Sequence, residues 1–280
     1  MPAPMPPSPV VDTDWLAANI ENERLRVIEV DTDPGRFDLG RLPHSVFWPA
    51  MSLLDDGMRT LSDPGLLSRK FGDAGVDPDT TVVAVHGQYR ATSGWLYWFM
   101  KRIGHRRVCV LDGGREKWVA EGRSLETVAA DVEPTRYPSP VMDASASATF
   151  DDAKSAIDQP DTVLLDVRTP AEYSGEVYLQ APPKPGEIAG HIPGATHLSY
   201  EAVHNDDGTF KSVEELKELF ERHGVTENKA ILPYCAVGAR SAHIWFALTQ
   251  LLGYPNVRNY HGSWREWSTV PGAPVARELS

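Results

Sequence analysis

Two stretches of the chain decide the fold, GHRRVCVLDGGREKW from Gly104 and GYPNVRNYHGSWREW from Gly253. They begin 149 residues apart and share glycine, valine and tryptophan positions. The matched positions are Gly104, Val108, Gly113 and Trp118 in the first stretch and Gly253, Val257, Gly262 and Trp267 in the second. A repeat at a fixed offset indicates that one structural unit occurs twice.

The segments before these stretches repeat at the same offset. An apolar face with helical spacing occurs in both, at Trp95, Trp98, Phe99 and Ile103 and again at Ile244, Ala247, Leu248 and Leu252. Gly104 and Gly253 stand where a helix ends in a left-handed residue, so each helix should stop there. A new strand should then open at Val108 and at Val257.

Short apolar runs predict buried parallel strands on either side of the helices. The runs are RVIEVD at 26–31 and TVVAV at 81–85 in the first half, and TVLLDV at 162–167 and AILPY at 230–234 in the second. Similar turns, GRLPHSVFW from Gly40 and GHIPGATHL from Gly190, follow the earlier strand of each half. The fold class is therefore α/β, with two tandem domains that each contain a mostly parallel sheet flanked by helices.

The 280-residue length suits two domains better than one. We expect a disordered proline-rich tail at 1–9, an N-terminal domain at 10–125, a linker at 126–148 and a C-terminal domain at 149–280. The linker is rich in Ala, Ser, Pro and Asp and lacks periodicity. The second half also carries an extra loop, 174–189, which is either functional or a plain surface loop.

The charge, the apolar runs and the number of cysteines limit the binding partners and the cellular location that we expect. The net charge of −12 argues against nucleic acid and anionic membrane surfaces, which attract basic proteins. No apolar run approaches the roughly 20 residues of a membrane span, and the start lacks a signal-peptide pattern, so we expect a cytoplasmic protein. The only cysteines, Cys109 and Cys235, form no Cys-x-x-Cys motif and no zinc-ligand cluster. We therefore expect no disulfide, no metal and no cofactor.

Cys235 has the setting of a reactive thiol. It follows a strand and opens the loop CAVGAR, after which we expect an amphipathic helix to begin at Ser241. Backbone amides of such a loop, and the positive end of the helix, stabilise an anion. The residues expected to surround the sulfur are Ala236, Val237, Gly238, Ala239 and Ser241. A thiolate there would have a lowered pKa.

Each of these residues also has a plainer interpretation. A lone cysteine is often inert and buried, which is our interpretation of Cys109 within its apolar strand. Gly238 could serve the tight loop through its backbone freedom alone. Arg240 could bind an anionic substrate or remain a solvated surface arginine. The cysteine at 235 differs from Cys109 because a glycine, an arginine and a helix start follow it within six residues.

Taken together, the tandem halves, the LLDVR strand, the GHIPGA turn and the CAVGAR loop resemble the rhodanese family of thiosulfate sulfurtransferases. The DDGTFKS and NYHGSWREW segments resemble its tandem-domain bacterial members. The resemblance implies a non-catalytic N-terminal domain, in which His86 stands where the other half has Cys235. It also implies that Cys235 becomes a persulfide, with thiosulfate as donor and cyanide or a thiol as acceptor.

Arg168, at the end of the LLDVR strand, resembles an arginine that faces the substrate in rhodanese relatives. It could instead pair with Asp166 and fix the end of the strand. Several relatives carry a second arginine four residues later, where this chain has Glu172. We favour the substrate role slightly.

Three alternatives to a thiosulfate sulfurtransferase stay open. A 3-mercaptopyruvate sulfurtransferase usually has Cys-Gly-[Ser/Ala]-Gly-Val-Thr, from which this loop departs at Ala236, Ala239 and Arg240. A phosphatase of the same fold has five residues between cysteine and arginine, whereas Cys235 and Arg240 are separated by four. A sulfur-relay protein, whose cysteine exchanges persulfide with a partner protein, leaves no local signature.

Overall fold

The chain divides into two compact units. The computed structural model describes residues 2–179 and 181–277. The first unit comprises the chain up to Asp143 together with His204–Phe210, and the second comprises Ala144–Val203 and the chain from Lys211. Each unit contains its own sheet and helices, as the sequence repeat predicts.

The first unit is built on a five-stranded parallel sheet in the order β1-β5-β4-β2-β3. Its strands are β1 Val10–Val11, β2 Leu25–Asp31, β3 Val46–Pro49, β4 Thr81–His86 and β5 Val108–Leu111. Its helices are α1 Thr13–Asn19, α2 Gly35–Leu39, α3 Pro64–Asp73, α4 Ala91–Arg102 and α5 Gly114–Ala120, with a 3₁₀ turn at Ala50–Leu53. Every residue of β4 is buried, which explains its unbroken apolar sequence.

The second unit repeats this arrangement. Its strands are β6 Ser147–Ala148, β7 Thr162–Asp166, β8 Thr196–His197, β9 Ala230–Tyr234 and β10 Asn259–Tyr260. Its helices are α6 Phe150–Ser155, α7 Pro170–Ser174, α8 Val213–Arg222, α9 Ala239–Phe246 and α10 Ser263–Trp267, with a 3₁₀ turn at Tyr200–Val203 and a π-helical continuation of α9 at Ala247–Leu251. Strands β8, β7 and β9 pair in parallel, as do β10 and β6.

A single parallel bridge between Ile231 and Val257 joins the two strand groups of the second unit. The resulting order β6-β10-β9-β7-β8 matches β1-β5-β4-β2-β3 of the first unit strand for strand. The predicted α/β class and duplication are therefore confirmed. Three local boundaries differ from prediction: α9 begins at Ala239, two residues before Ser241, and β7 ends at Asp166, before Arg168. Strand β10 begins at Asn259, two residues after the predicted start at Val257.

The predicted linker at 126–148 is not a free connection. The units divide between Asp143 and Ala144, inside that range, but the part before the division packs on the first unit. Thr135 donates its backbone N–H to the Gly72 carbonyl, and the Tyr137 ring lies 5.1 Å from the Phe71 ring. One buried tyrosine and a few backbone hydrogen bonds thus hold part of a segment that lacks periodicity.

The proline-rich tail is likewise placed against the first unit rather than free of it. Its prolines accept hydrogen bonds through their carbonyl oxygens, which remain available although proline lacks an N–H. The bonds run from Asn22 Nδ2 to Pro2, from Thr81 Oγ1 to Pro4 and from Val110 N to Pro9, at 3.2, 2.6 and 2.9 Å. Three residues of the predicted tail at 1–9 therefore contact the rest of the first unit, while Met1 lies outside the described residues.

Over the described residues, no helix combines the length and the apolar character that crossing a membrane requires.

Candidate active site

Cys235 lies directly after β9, at the carboxyl end of the sheet in the second unit. The residues that follow it turn into α9, whose N-cap is Gly238. The cysteine itself is 1% exposed, whereas Ala236 and Val237 beside it are partly exposed. The sulfur is thus covered, and the loop is partly exposed at the two residues that follow it.

Several donors converge on the sulfur atom. The backbone N–H of Gly238 points at Cys235 Sγ from 3.2 Å. The hydroxyl groups of Ser241 and Ser263 lie 3.5 and 3.9 Å from the same atom. The first sits on α9 and the second opens α10, so two helix starts meet at one sulfur. Such converging donors favour a negatively charged sulfur.

The carbonyl groups of the loop are held away from the sulfur by the start of α10. The backbone N–H of Trp264 donates to the Cys235 carbonyl at 2.9 Å, and that of Arg265 donates to the Ala236 carbonyl at 3.0 Å. Fixing these carbonyls fixes the peptide planes and leaves the amide groups on the inner side of the loop. The loop is therefore preorganised before any substrate binds.

Gly238 is required by backbone conformation and by space. Its φ is 97°, in the left-handed region that favours glycine. A Cβ at this position would lie 2.7 Å from the His261 carbonyl oxygen. The glycine therefore allows the close turn that brings its own N–H to Cys235 Sγ.

The two cysteines have opposite electrostatic settings. Burial raises the pKa of the Cys235 thiol, but the positive charge of Arg240 and the hydrogen bonds from Ser241 and the Val237 amide outweigh it, so that the pKa is lowered overall. Burial within β5 raises the pKa of Cys109, and its thiol only approaches the Val82 carbonyl, at 3.8 Å. The reactive thiolate is thus expected at Cys235 alone.

This contrast predicts selective alkylation. Iodoacetamide should modify Cys235 in the folded protein, with a rate that rises through a pKa below that of an ordinary thiol, because the thiolate is the reacting form. Cys109 should react only after unfolding. The measurement is peptide mass spectrometry of the alkylated protein across a pH series. Equal labelling of both cysteines in the folded state would contradict the assignment.

Arg240 is engaged by a carboxylate. Its Nη1 and Nη2 donate to the two oxygens of Glu172 at 2.7 and 2.8 Å, and both side chains are buried. Burial raises the pKa of Glu172, but the hydrogen bond and the charge of Arg240 outweigh burial, so the pKa is lowered overall and the carboxylate stays ionised. Glu172 also caps α7 by accepting from the Thr169 N–H at 3.1 Å. The pair places a fixed guanidinium near the thiolate while balancing its charge.

Arg168 pairs with Asp166 at the end of β7, which is the alternative to a substrate contact considered from the sequence. Its guanidinium binds the Asp166 carboxylate and donates to the Gly190 carbonyl at 2.7 Å. It also stacks 4.7 Å from the Trp264 ring. Arg168 is 1% exposed, and its guanidinium is engaged by Asp166 and the Gly190 carbonyl. This placement does not support the substrate contact favoured from the sequence, although Arg168 supports Trp264 and hence the loop.

The matching place in the first unit holds no nucleophile of this kind. His86 ends β4, is 3% exposed, and its Nδ1 lies 3.0 Å from Ser93 Oγ. Burial, together with the charges of His204 and Arg90, lowers the pKa of His86 to about 3. The imidazole is therefore neutral near pH 7.

The sequence interpretation missed two residues that act on the loop. Asn259 is fully buried and donates from Nδ2 to the Gly238 carbonyl at 3.2 Å. Ser263 accepts the Cys235 backbone N–H through its hydroxyl oxygen at 3.0 Å. At the repeat offset they replace Val110 and Gly114. The signal that could have found them is that the second copy has a polar side chain at two positions where the first copy has a valine and a glycine.

The predicted site residues are thus largely brought together. Cys235 is contacted by donors from the predicted loop, while Ala236 contributes its carbonyl to the support from α10 and Ala239 opens α9 as a buried residue. Within residues 2–179 and 181–277, no group of three or more histidine, cysteine or acidic side chains could hold a metal ion.

Comparison with known proteins assigns the family. The rhodanese-like domain model matches residues 12–121 and 149–269. The chain belongs to the rhodanese family. It carries that domain twice, in agreement with the two compact units, and residues 122–148 between the matches contain the division at Asp143.

Two relatives of this rhodanese match over nearly the full length. The "Sulfur carrier protein TtuD" of Thermus thermophilus is 39% identical over 278 residues, covering 97% of each chain. A protein of Mycolicibacterium smegmatis named "Putative thiosulfate sulfurtransferase" is 36% identical over 269 residues, covering 95% of this chain and 96% of the relative. These relatives support sulfurtransferase or sulfur carrier activity for the family member described here.

A solved structure shares the fold. The anaerobic ergothioneine biosynthesis enzyme from Chlorobium limicola, in complex with trimethyl histidine, matches with a TM-score of 0.85 at 24% identity. The match covers 97% of this chain and 71% of that one. At this identity the likeness supports the tandem rhodanese fold alone.

Proposed function

We propose that this protein transfers the outer sulfur of thiosulfate to cyanide or a thiol through a persulfide on Cys235. The observation that carries the proposal is the convergence of the Gly238 amide and the Ser241 hydroxyl on a buried sulfur whose pKa is lowered. Such an arrangement stabilises both the attacking thiolate and the charged terminal sulfur of a persulfide.

The reaction needs two displacements at sulfur. The Cys235 thiolate attacks the outer sulfur of thiosulfate, a new S–S bond forms, and sulfite leaves with the electron pair of the bond that breaks. The acceptor then attacks the terminal sulfur of the persulfide, taking it as thiocyanate or a new persulfide, and Cys235 leaves as the thiolate. No proton has to move in the first step, so no neighbouring general base is required.

The loop sequence, rather than the charge of the site, ranks the donors. Both candidate donors are anions, and the bidentate pairing of Arg240 with Glu172 offsets much of the attraction that Arg240 has for either of them. The loop departs from the 3-mercaptopyruvate pattern at Ala236, Ala239 and Arg240, so we propose thiosulfate first and 3-mercaptopyruvate second. The test compares kcat/KM of the purified protein for the two donors at several ionic strengths. A larger value for 3-mercaptopyruvate would reverse the order.

A second candidate function is sulfur relay, which the sulfur carrier from Thermus thermophilus favours. In that case Cys235 would accept and pass on persulfide with a partner protein, using the same donors around the sulfur. Steady turnover of thiosulfate and cyanide would support the enzyme. Rapid formation of one persulfide per chain without turnover of small acceptors would support the relay.

We assign all transfer to the second unit, because the first unit has the neutral His86 where the second has Cys235. The His86→Asn variant should then form the same number of persulfides per chain as the wild type. The count is read from intact-protein mass after treatment with thiosulfate.

Loop length predicts sulfur rather than phosphate chemistry. Four residues separate Cys235 from Arg240, so the amides surround a small centre. A glycine inserted between Ala236 and Val237 should lower sulfur transfer about 100-fold, because donors displaced by about 1 Å lose most of their effect. The control is the unmodified protein with an aryl phosphate. Hydrolysis at rates comparable with sulfur transfer would contradict the loop-size argument.

A further inference from the structure

Ser263 adopts a backbone conformation that side chains seldom adopt. Its φ is 54°, in the left-handed region that costs free energy for residues other than glycine. The matching position of the first unit is Gly114, whose φ is 57°. The turn into the helix therefore needs this conformation in both units, and only the second keeps a side chain there.

The Ser263 hydroxyl is placed to serve Cys235 in two ways. Its oxygen accepts the Cys235 backbone N–H at 3.0 Å, which fixes the residue that carries the sulfur. Its proton is directed to the Tyr260 carbonyl at 2.9 Å, with Cys235 Sγ as a second acceptor at 3.9 Å. A hydroxyl has one proton and rotates freely, so a negative charge on the sulfur draws that proton toward it.

The first unit shows why the two positions change together. A Cβ on Gly114 would lie 2.4 Å from His86 Nε2, so the imidazole fills the space and requires glycine. In the second unit the smaller Cys235 leaves room for the hydroxyl. Histidine with glycine and cysteine with serine are thus alternative occupants of the same turn.

We propose that Ser263 is a positioning residue for sulfur transfer: it holds the backbone of Cys235, and its hydroxyl group donates a hydrogen bond to the sulfur when the sulfur is charged. The inference extends the proposed persulfide function, on which its turnover measurement rests. It requires no further reactant, since the proton only rotates from the Tyr260 carbonyl to Cys235 Sγ.

Two variants separate the hydroxyl from the backbone. Ser263→Gly restores the residue of the first unit and relieves the left-handed side chain, while Ser263→Ala removes only the hydroxyl. Both should raise the alkylation pKa of Cys235 by about half a unit and lower kcat/KM for thiosulfate about tenfold, mainly through kcat. Ser263→Gly relieves the left-handed side chain but also removes the acceptor of the Cys235 N–H, so circular dichroism checks that each variant is folded before it is assayed.

The matched control is Asp158→Gly, which relieves an exposed residue with φ 62° in the same unit without contact to the loop. It should leave both the alkylation profile and turnover unchanged. A wild-type alkylation profile and turnover in Ser263→Gly would overturn the proposal. The alkylation profile needs no sulfur donor, so a shift there upholds the role of Ser263 even if thiosulfate is not turned over by the wild type.

Discussion

Replacing Cys235 with serine is expected to lower sulfur transfer by about 10³-fold or more while the fold persists, because a hydroxyl is a poor nucleophile that forms no persulfide. The serine hydroxyl fits the space of the thiol and keeps the loop, whose carbonyls are bound by the Trp264 and Arg265 amides. The measurement is thiosulfate-dependent thiocyanate formation, with circular dichroism as the check on folding.

Cys109→Ser is the control for this experiment. Cys109 is fully buried in β5. If the Cys109→Ser variant folds, its turnover of thiosulfate should stay near the wild-type value. Substantial thiocyanate formation by the Cys235 variant would remove the basis of the mechanism, since Cys109 is the chain's only other thiol.

The second large effect concerns stability. Arg240→Met should destabilise the protein by about 3–5 kcal/mol, because it leaves the buried Glu172 carboxylate without its guanidinium partner. Urea unfolding gives the free energy of unfolding. Arg258→Ala is the matched control, since Arg258 forms a 3.0 Å pair with Asp152 in which both side chains are substantially exposed. Its loss should cost at most about 1 kcal/mol.

Arg240→Met combined with Glu172→Leu separates stability from reactivity. The double variant should regain most of the lost stability, because no buried charge is left unpaired. The alkylation pKa of Cys235 should be higher than in the wild type in both the single and the double variant, because the positive charge of Arg240 that lowers this pKa is gone. A double variant as unstable as Arg240→Met, or a thiol pKa equal to that of the wild type, would contradict the assigned role of the pair.

The same pair should contribute to acid sensitivity. The pKa of Glu172 is lower in the folded protein than in the unfolded chain. Its contribution to stability is therefore fully present above the unfolded pKa and is lost as the pH falls through the folded pKa.

The α/β class and the duplication could be predicted from the sequence because the same pattern of apolar runs and helical spacing occurs in both halves, whereas the strand order was not predicted. The apolar runs became β4 and β9, and the glycines at 104 and 253 follow helical segments as expected. The tertiary contact that Tyr137 makes within 126–143 is not revealed by composition. Local patterns report local structure, whereas a single buried ring depends on its neighbours in space.

The site was only partly predictable for the same reason. Cys235 and its loop are contiguous in sequence, so the amide donors could be inferred from one short segment. The partners of Arg240 and Arg168 depend on side-chain packing, and Glu172 lies 68 residues from Arg240. Ser263 and Asn259 come from the strand and helix that return beside the loop, and only the comparison of the two copies points to them.

The central claim is that sulfur resides on Cys235. The direct measurement is intact-protein mass spectrometry, followed by peptide mapping, after brief treatment with thiosulfate and rapid removal of the donor. We expect one added sulfur per chain, located on the peptide that contains Cys235 and lost on addition of cyanide. No added sulfur, or sulfur located on Cys109, would contradict the account.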